Sequence, residues 1–390
     1  MAIPFLYSLR SIAVRKGSSA MAVGGIALVV VVLVTLLSLA AGFQRAVMTS
    51  GSPQNVIVLR KGADAELQSQ VMRETARIIS ELPMVAQEDG RPLVTFESVI
   101  LLAQPKQGGG ETNITVRGGP PQARSVHTEV RLTQGRWHSP GSNEAVVGVG
   151  LARRLRNVSL GQTITVGRNT WCIVGLFEAG GSSLESELWM DGDLLQGTFR
   201  RGAIFQSVLF RAVGSARQAA EQLNALAETD LRLRTVQALT EKEYYEKQAK
   251  LMADLITILG GILTSIMSIG AIAGAMNTMY AAVSQRKREI GCLLAIGFTP
   301  EAVWLAFMVE SLALAAIGAV LGCAVSLLFN GMKTGMTNWA TFSETAFEFH
   351  VTAQILVTAA ILALLMGFIG GVLPAVRAAR MKVVDALRRA

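Results

Sequence analysis

Four stretches of this chain are long and apolar enough to cross a bilayer, and this limits the fold more than any other feature. A membrane span needs about 20 mostly apolar residues. Met21–Phe43, Leu251–Val283, Ala302–Phe329 and Val351–Leu373 each meet that requirement. Composition agrees: 51% of residues are hydrophobic and only 16% are charged, where a soluble domain carries about 25%. The expected fold class is a membrane α-helical protein with four transmembrane helices and a large mixed α/β extracytoplasmic domain inserted between the first and the second. Ser38-Leu39-Ala40 resembles a signal-peptide cleavage site. The apolar run before it exceeds the about 7–15 residues of a signal core, so an uncleaved anchor is expected.

The net charge of +8 is clustered beside the apolar runs. There is no basic stripe interleaved with aromatics, so nucleic acid is excluded as a partner. Lysine and arginine next to spans mark the cytoplasmic side. Arg10, Arg15 and Lys16 precede the first span, Arg286, Lys287 and Arg288 lie between the second and third, and Arg377, Arg380, Lys382, Arg388 and Arg389 follow the fourth. The loop between the third and fourth balances Lys333 with Glu344 and Glu348. Both termini are therefore expected in the cytoplasm, with Gln44 to Lys250 outside it. The cysteines (Cys172, Cys292 and Cys323) and histidines (His127, His138 and His350) form no metal-binding spacing, so no metal site is expected.

The second span has a distinctive start. Thr240 and Glu243 form a capping box, and no proline follows until Pro300. A continuous helix over 241–284 measures about 65 Å, twice the ~30 Å hydrocarbon core. Its polar start, with Tyr244, Tyr245, Lys247, Lys250 and Asp254, is expected to stand above the membrane as a stalk. The first span overruns the lipid through Arg45–Ser50 and stops at Gly51-Ser52-Pro53. The expected organisation is a cytoplasmic amphipathic helix (1–20), span and stalk (21–50), an outer domain (51–240), stalk and span (241–284), a cytoplasmic coupling loop (285–301), a third span (302–329), a short outer loop (330–350), a fourth span (351–374) and a cytoplasmic tail (375–390).

Within the outer domain, strands are expected at 55–60, 93–103, 114–117, 145–149, 163–166, 171–177, 204–212 and 231–236, with helices at 64–82 and 216–228. That order reads as an α/β unit interrupted by a β-rich insertion at about 115–200. Gln107–Glu111 is a glycine-rich, mobile loop. Glu185, Glu187, Asp191 and Asp193 are expected in a solvated loop, a divalent-ion site being the sharper alternative.

The segment 285–301 is the most informative. The basic cluster Arg286, Lys287 and Arg288 leads into Glu289, Ile290, Gly291, Cys292, Leu293 and Leu294, and Gly297 closes it. Thr299-Pro300-Glu301 then restarts a helix with a cap, a proline at the first position and an acid near the positive end. A short helix between two spans is a docking element for a soluble partner. A positive loop that merely sets topology fits the spacing equally well.

Longer motifs add a resemblance. The run Arg286 to Gly322, with REIG at Arg288–Gly291, AIGF at Ala295–Phe298 and Glu310-Ser311, resembles the FtsX-like permease signature. So does the tail from Leu373-Pro374-Ala375 to Asp385-Ala386-Leu387-Arg388. Ser8-Leu9-Arg10 through Lys16 is similar to that family's N-terminal amphipathic helix, and 143–150, 160–166 and 172–176 resemble the outer domain of MacB-like exporters. The resemblance implies a permease subunit of an ABC transporter in a bacterial inner membrane, of the macrolide-exporter or lipoprotein-releasing branch. It implies partners: a cytoplasmic ABC ATPase, a second permease copy, a periplasmic adaptor and membrane lipid. It also implies mechanotransmission, in which ATP-driven closure of the ATPase pair moves the outer domains through the stalks. No GxxxxGK[ST] phosphate loop occurs in these residues, so ATP and magnesium are expected on a separate ATPase, with no cofactor bound directly. The coupling contacts would be Arg286, Lys287, Arg288, Glu289, Ile290, Gly291, Leu293, Leu294 and Gly297.

Glu310 lies within the third span, where a carboxylate is costly and faces protein or water. The resemblance implies a structural or coupling role, with Asn277, Tyr280 or Arg377 as partner. A proton relay is disfavoured, since no second acid or histidine is placed nearby. Small-residue pairs (Gly270/Gly274, Gly318/Gly322 and Gly367/Gly371) let helices approach closely. They serve packing within one subunit or a dimer seam, the latter fitting the second span with Gly24 and Gly25 of the first. No GxSxG elbow or comparable motif marks a catalytic centre, so no catalytic residue is expected. The rival readings are a scaffold regulating a periplasmic cell-wall hydrolase and a membrane-anchored sensor without an ATPase.

Overall fold

The computed structural model describes residues 16–202, 204–338 and 342–383. The amphipathic helix expected at 1–20 lies outside them up to residue 15, as does the tail from 384. The longer helices, in chain order, are α1 (Lys16–Met48), α2 (Arg73–Ser80), α3 (Ala216–Thr229), α4 (Glu241–Gln285), α5 (Lys287–Ala295), α6 (Pro300–Leu327) and α7 (Ala353–Ala379). Among the described residues, α1, α4, α6 and α7 are long and apolar enough to cross a membrane. The chain divides into two compact units.

The first unit gathers residues 16–41, Asp254–Met332 and 349–383. Its core joins Ile26, Val30 and Val34 of α1 to Ala315 and Ala319 of α6 and Ala359, Ala363 and Met366 of α7. Small residues set the helix spacing. A Cβ on Gly322 would lie 2.6 Å from Val30 Cγ1 and 2.8 Å from the Ala27 carbonyl oxygen, and one on Gly318 would lie 3.0 Å from Ile26 Cβ. Gly371 packs on Ser311 in the same way, and the Ser311 hydroxyl donates to the Gly367 carbonyl at 2.6 Å. In contrast, a Cβ on Gly24, Gly25, Gly270 or Gly274 would meet nothing within 4 Å among the described residues. Gly322→Val is therefore expected to cost about 1–3 kcal/mol through overpacking. Gly274→Ala should be neutral or gain up to ~1 kcal/mol from helix propensity. Thermal unfolding of the two variants in detergent compares them directly.

The fourth apolar stretch, expected to end near 374, continues as helix through Pro374 to Ala379. Ala375 and Ala378 are fully buried with Met279, Ile290 and Phe307, and that packing carries the helix past the proline.

The second unit comprises Gly42–Ala253 and Lys333–Glu348. Its main strands are β1 (Asn55–Arg60), β2 (Val94–Pro105), β3 (Glu111–Gly119), β4 (Arg131–Gly135), β5 (Glu144–Gly148), β6 (Thr163–Val166), β7 (Asn169–Glu178), β8 (Glu187–Asp191), β9 (Ser207–Arg211) and β10 (Val236–Thr240). Among the described residues they form one ten-stranded sheet in the order β10-β1-β9-β2-β3-β8-β5-β7-β4, with β6 on β7. Pairs β3·β8 and β5·β7 are parallel and the others antiparallel. One core packs α2 and α3 on Val56, Val58, Val208 and Phe210, and another buries Ile114, Val147, Trp171, Ile173 and Leu188. The strand β2, 12 residues long, carries the sheet from the first core to the second.

Several local expectations are corrected. The helix expected over 64–82 is only α2, preceded by a 3₁₀ turn at Glu66–Gln68 and a short pairing of Val71–Met72 with Ile204–Phe205. Ser69 Oγ accepts from the Arg60 amide at 2.8 Å and Glu66 is drawn into an ion pair, so side-chain chemistry breaks the helix. The strand expected at 231–236 lies instead at 236–240. The Asp230 carboxylate takes the Arg232 amide at 2.9 Å, and such a side-chain turn delays the strand. The acidic segment around 185–193 is no solvated loop: Glu187 and Asp191 begin and end β8, and both are buried. Gln107–Glu111 is the β2–β3 hairpin turn, where Gly109 and Gly110 supply positive φ, and the Gln107 amide donates to the Arg154 carbonyl at 2.8 Å.

The short loop expected at 330–350 contains an antiparallel hairpin, β11 (Lys333–Thr337) and β12 (Glu344–Glu348), which belongs to the sheet unit. Glu344 is buried and pairs with Arg154 and with Lys106, and also accepts from the Thr112 hydroxyl. Phe347 meets Phe43 edge-on with centroids 5.6 Å apart.

Candidate functional site

The predicted coupling residues form helix α5 and its flanks. Arg286 caps it, its carbonyl accepting from the Ile290 amide at 2.9 Å. Ile290 and Gly291 turn inward, Ile290 packing among Met279, Val283, Val303 and Phe307. Leu293 and Leu294 are half-buried, while Lys287, Arg288, Glu289, Cys292 and Ile296 face outward. Gly297, at φ +104°, ends the helix, with the Phe298 amide returning to the Leu293 carbonyl at 3.1 Å. A left-handed residue here suits glycine. Thr299 Oγ1 then accepts from the Ala302 amide at 3.3 Å and Pro300 opens α6.

Glu310 is buried in α6, and its Oε2 accepts from Arg286 Nη1 at 3.0 Å. The expected partners Asn277, Tyr280 and Arg377 are replaced by this one, and Arg377 instead stacks over the Tyr280 ring at 5.7 Å. The pair ties the start of α5 to a turn of α6 more than two turns from its beginning. Its Arg is 24 residues away in sequence, hidden inside a cluster that reads as wholly solvent-facing.

The sheet unit holds a second constellation that sequence reading misses. Arg117 on β3 is buried with three carboxylates. It makes two-point contacts to Glu66 (2.9 and 3.0 Å) and to Glu187 (2.7 and 2.9 Å), and its Nη1 reaches Glu97 Oε2 at 2.5 Å. Trp189 Nε1 donates to Glu187 at 2.8 Å and Ser207 Oγ to Glu66 at 2.6 Å. Across Glu97 lies His127, its Nε2 at 2.8 Å, and His127 Nδ1 is 3.3 Å from Glu129. Beside them sits Glu241, the first residue of α4, whose Oε2 accepts from the Ser52 amide (3.0 Å) and Asn55 Nδ2 (2.9 Å). Tyr244 accepts from the Glu66 amide at 3.1 Å through its hydroxyl.

Burial disfavours the charged form of every group in this cluster. For Glu97 the neighbouring His127 and Arg117 outweigh it and hold the carboxyl at about 2. His127 and Arg117 are correspondingly raised against burial, by Glu97 and by Glu187 and Glu66 respectively. Glu241, in the part of α4 that belongs to the sheet unit and outside the apolar span, is driven up to about 7 by burial, only partly offset by His127. Burial likewise raises the Tyr244 and Tyr245 phenols. Thr240 and Glu243 form the capping box at this point: the Glu243 amide donates to Thr240 Oγ1 at 3.1 Å and the Thr240 amide to Glu243 Oε2 at 3.4 Å.

Fold and sites together define a membrane protein of long apolar helices with a large sheet domain inserted after the first and a short basic helix between the second and third. Two family models match it: the MacB-like periplasmic core domain over residues 19–226 and the FtsX-like permease C-terminal region over residues 261–383. The first alone covers more than half of the chain, which belongs to the family of ABC transporter permeases of the MacB and FtsX type. Among curated relatives, the macrolide export ATP-binding/permease protein MacB of Pasteurella multocida is 25% identical over 66% of this chain and 40% of its own length. The uncharacterized ABC transporter permease YknZ of Bacillus subtilis is 23% identical over 71% of this chain and 70% of its own. The chain thus spans well under half the length of that MacB relative. The crystal structure of the periplasmic region of MacB from Actinobacillus actinomycetemcomitans superposes with a TM-score of 0.39 at 12% identity, covering 51% of this chain and 94% of that one.

Proposed function

We propose that the chain is the permease subunit of an inner-membrane ABC transporter, that a separate cytoplasmic ATPase docks on α5, and that the motion reaches the periplasmic domain through α1 and α4. ATP and magnesium bind on the ATPase, and the permease has no catalytic role of its own. In this reading α1, α4, α6 and α7 cross the membrane with both termini in the cytoplasm, a topology that the basic residues beside them support. The observation that carries this reading is α4: 45 residues of unbroken helix, about 68 Å long, capped at Thr240 and ending immediately before Arg286 and α5.

The working unit is a pair of permease copies. Ile258, Ile262, Ile266 and Ile269 of α4 are all more than half exposed in the single chain, and Gly270 and Gly274 beside them are open. A second copy covers part of this face and lipid the rest. A periplasmic adaptor engages the sheet domain, and the assembly exports or extracts a substrate from the periplasm or outer leaflet.

The test is charge reversal on the exposed face of α5. Lys287→Glu with Arg288→Glu is expected to lower co-purification of the ATPase about tenfold or more, since like charges then oppose at a docking surface. Thermal stability should stay within about 0.5 kcal/mol of wild type, as for other surface changes. An ATPase that co-purifies equally with the variant contradicts the docking role. Co-purification of a cell-wall hydrolase in place of an adaptor contradicts the export role.

A further inference from the structure

The buried cluster around Arg117 carries more negative than positive charge. Glu66, Glu97, Glu129, Glu187 and Glu241 face two cations, Arg117 and His127. All three guanidinium nitrogens of Arg117 are engaged by Glu66, Glu97 and Glu187, which leaves Glu129 and Glu241 to His127. Three metal-ligand atoms meet there: one from His127, one from Glu129 and one from Glu241, all within 4.8 Å of one another. His127 Nε2 faces Glu97 at 2.8 Å, an arrangement that metal-bound histidines use to fix the ring and present the other nitrogen. Two polar atoms, one on a ligand and one on a residue bonded to a ligand, lack partners among the described residues. Glu129 Oε2 accepts no hydrogen bond, and Asn55, wholly buried and holding Glu241 through Nδ2, has its Oδ1 unpaired. Buried polar atoms are rarely left so, and Asn55 is a neighbour of the cluster that is not itself an acid.

We propose that His127 Nδ1 and the carboxylates of Glu129 and Glu241 bind one divalent first-row transition cation, of which zinc is the best match. One imidazole and two carboxylates are a ligand set for such ions, and three protein ligands leave a fourth position for water. Tetrahedral zinc holds its ligand atoms about 3.4 Å apart, so binding draws the three side chains together by no more than ~1.5 Å. The site joins the segment after the short helix at Ala123–Val126 to the first residue of α4. Bound metal would therefore clamp the base of the stalk to the sheet domain, a role that stands whether or not α5 docks an ATPase.

Full-length protein in detergent, stripped with EDTA and dialysed, is titrated with zinc chloride against a competing fluorescent chelator. The expected stoichiometry is about one zinc per chain, with affinity falling about 10–100-fold in both Glu129→Gln and Glu241→Gln. Glu129 is partly exposed, with a side chain at 21%, so its amide isostere keeps the fold. Zinc should raise the unfolding temperature of wild type and not of E129Q, while Glu228→Gln, on the exposed end of α3, should bind as wild type does. Absence of zinc binding by wild type, or binding unaltered in both E129Q and E241Q, overturns the site. Calcium binding more tightly than zinc overturns its assignment to a transition cation.

Discussion

Replacing Arg117 by methionine is expected to bring the sheet domain close to unfolding. The substitution leaves Glu66 and Glu187 buried without their cation and Glu97 with His127 alone. Removing one partner of a buried ion pair costs about 3–5 kcal/mol, a large share of the about 5–15 kcal/mol that holds a domain together. Here three carboxylates lose a partner at once. Lysine should not rescue it, because a point charge cannot reproduce two two-pronged contacts. Arg136→Met is the comparison. Arg136 pairs with Glu144 on the surface, its side chain more than half exposed, and loss of such a pair is worth about 0–1 kcal/mol. Denaturant unfolding followed by tryptophan fluorescence reads both, since Trp189 donates to Glu187 within the cluster. Equal unfolding midpoints for R117M and R136M would remove the cluster from any central role.

The second large effect is expected at Glu310. Glu310→Ala strips Arg286 of the carboxylate that holds it 3.0 Å away in a site where both side chains are nearly enclosed. The cost is again about 3–5 kcal/mol. It falls on the junction of α5 and α6, so stimulation of the ATPase should drop along with the stability of the helical unit. Glu310→Gln keeps a hydrogen-bond acceptor and should be milder. Arg286→Met combined with Glu310→Met removes both charges and should recover most of the stability, though not the coupling. A thermal-melt series over the three variants, paired with ATPase assays of the assembled complex, separates the two roles. A proton relay at Glu310 predicts instead that E310Q loses activity in a pH-dependent way with its melting temperature unchanged.

What the sequence reveals is governed by how local each signal is. The four apolar runs, the Thr240–Glu243 box and the Thr299-Pro300 restart are each complete within a few residues, and the structure has a helix at every one. The Arg117 cluster is assembled from positions 20 to 70 residues away from Arg117, so no window contains it. A signal was present nonetheless. Glu97 is the one charged residue of Val94–Ala103, and Arg117 follows Ile114-Thr115-Val116. A charge at an inward strand position needs a buried partner. Glu187 is hard to read because its neighbours Glu185, Asp191 and Asp193 give the segment an acidic, loop-like look, while Leu188, Trp189 and Met190 place it in the core. The partner of Glu310 is hidden for the converse reason: Arg286 belongs to a basic cluster whose other members do face outward.

The central claim is that work done on α5 moves the sheet domain. It is tested most directly by the distance between the sheet domains of two copies assembled with the ATPase in lipid nanodiscs. Cys172, Cys292 and Cys323 are replaced by serine, and a spin label is attached through Glu228→Cys on each copy. Adding ATP and magnesium to a hydrolysis-deficient ATPase should shift the inter-label distance distribution, and the Lys287→Glu, Arg288→Glu variant should abolish the shift. An unchanged distribution in a complex that binds ATP and carries intact α5 helices would contradict the account.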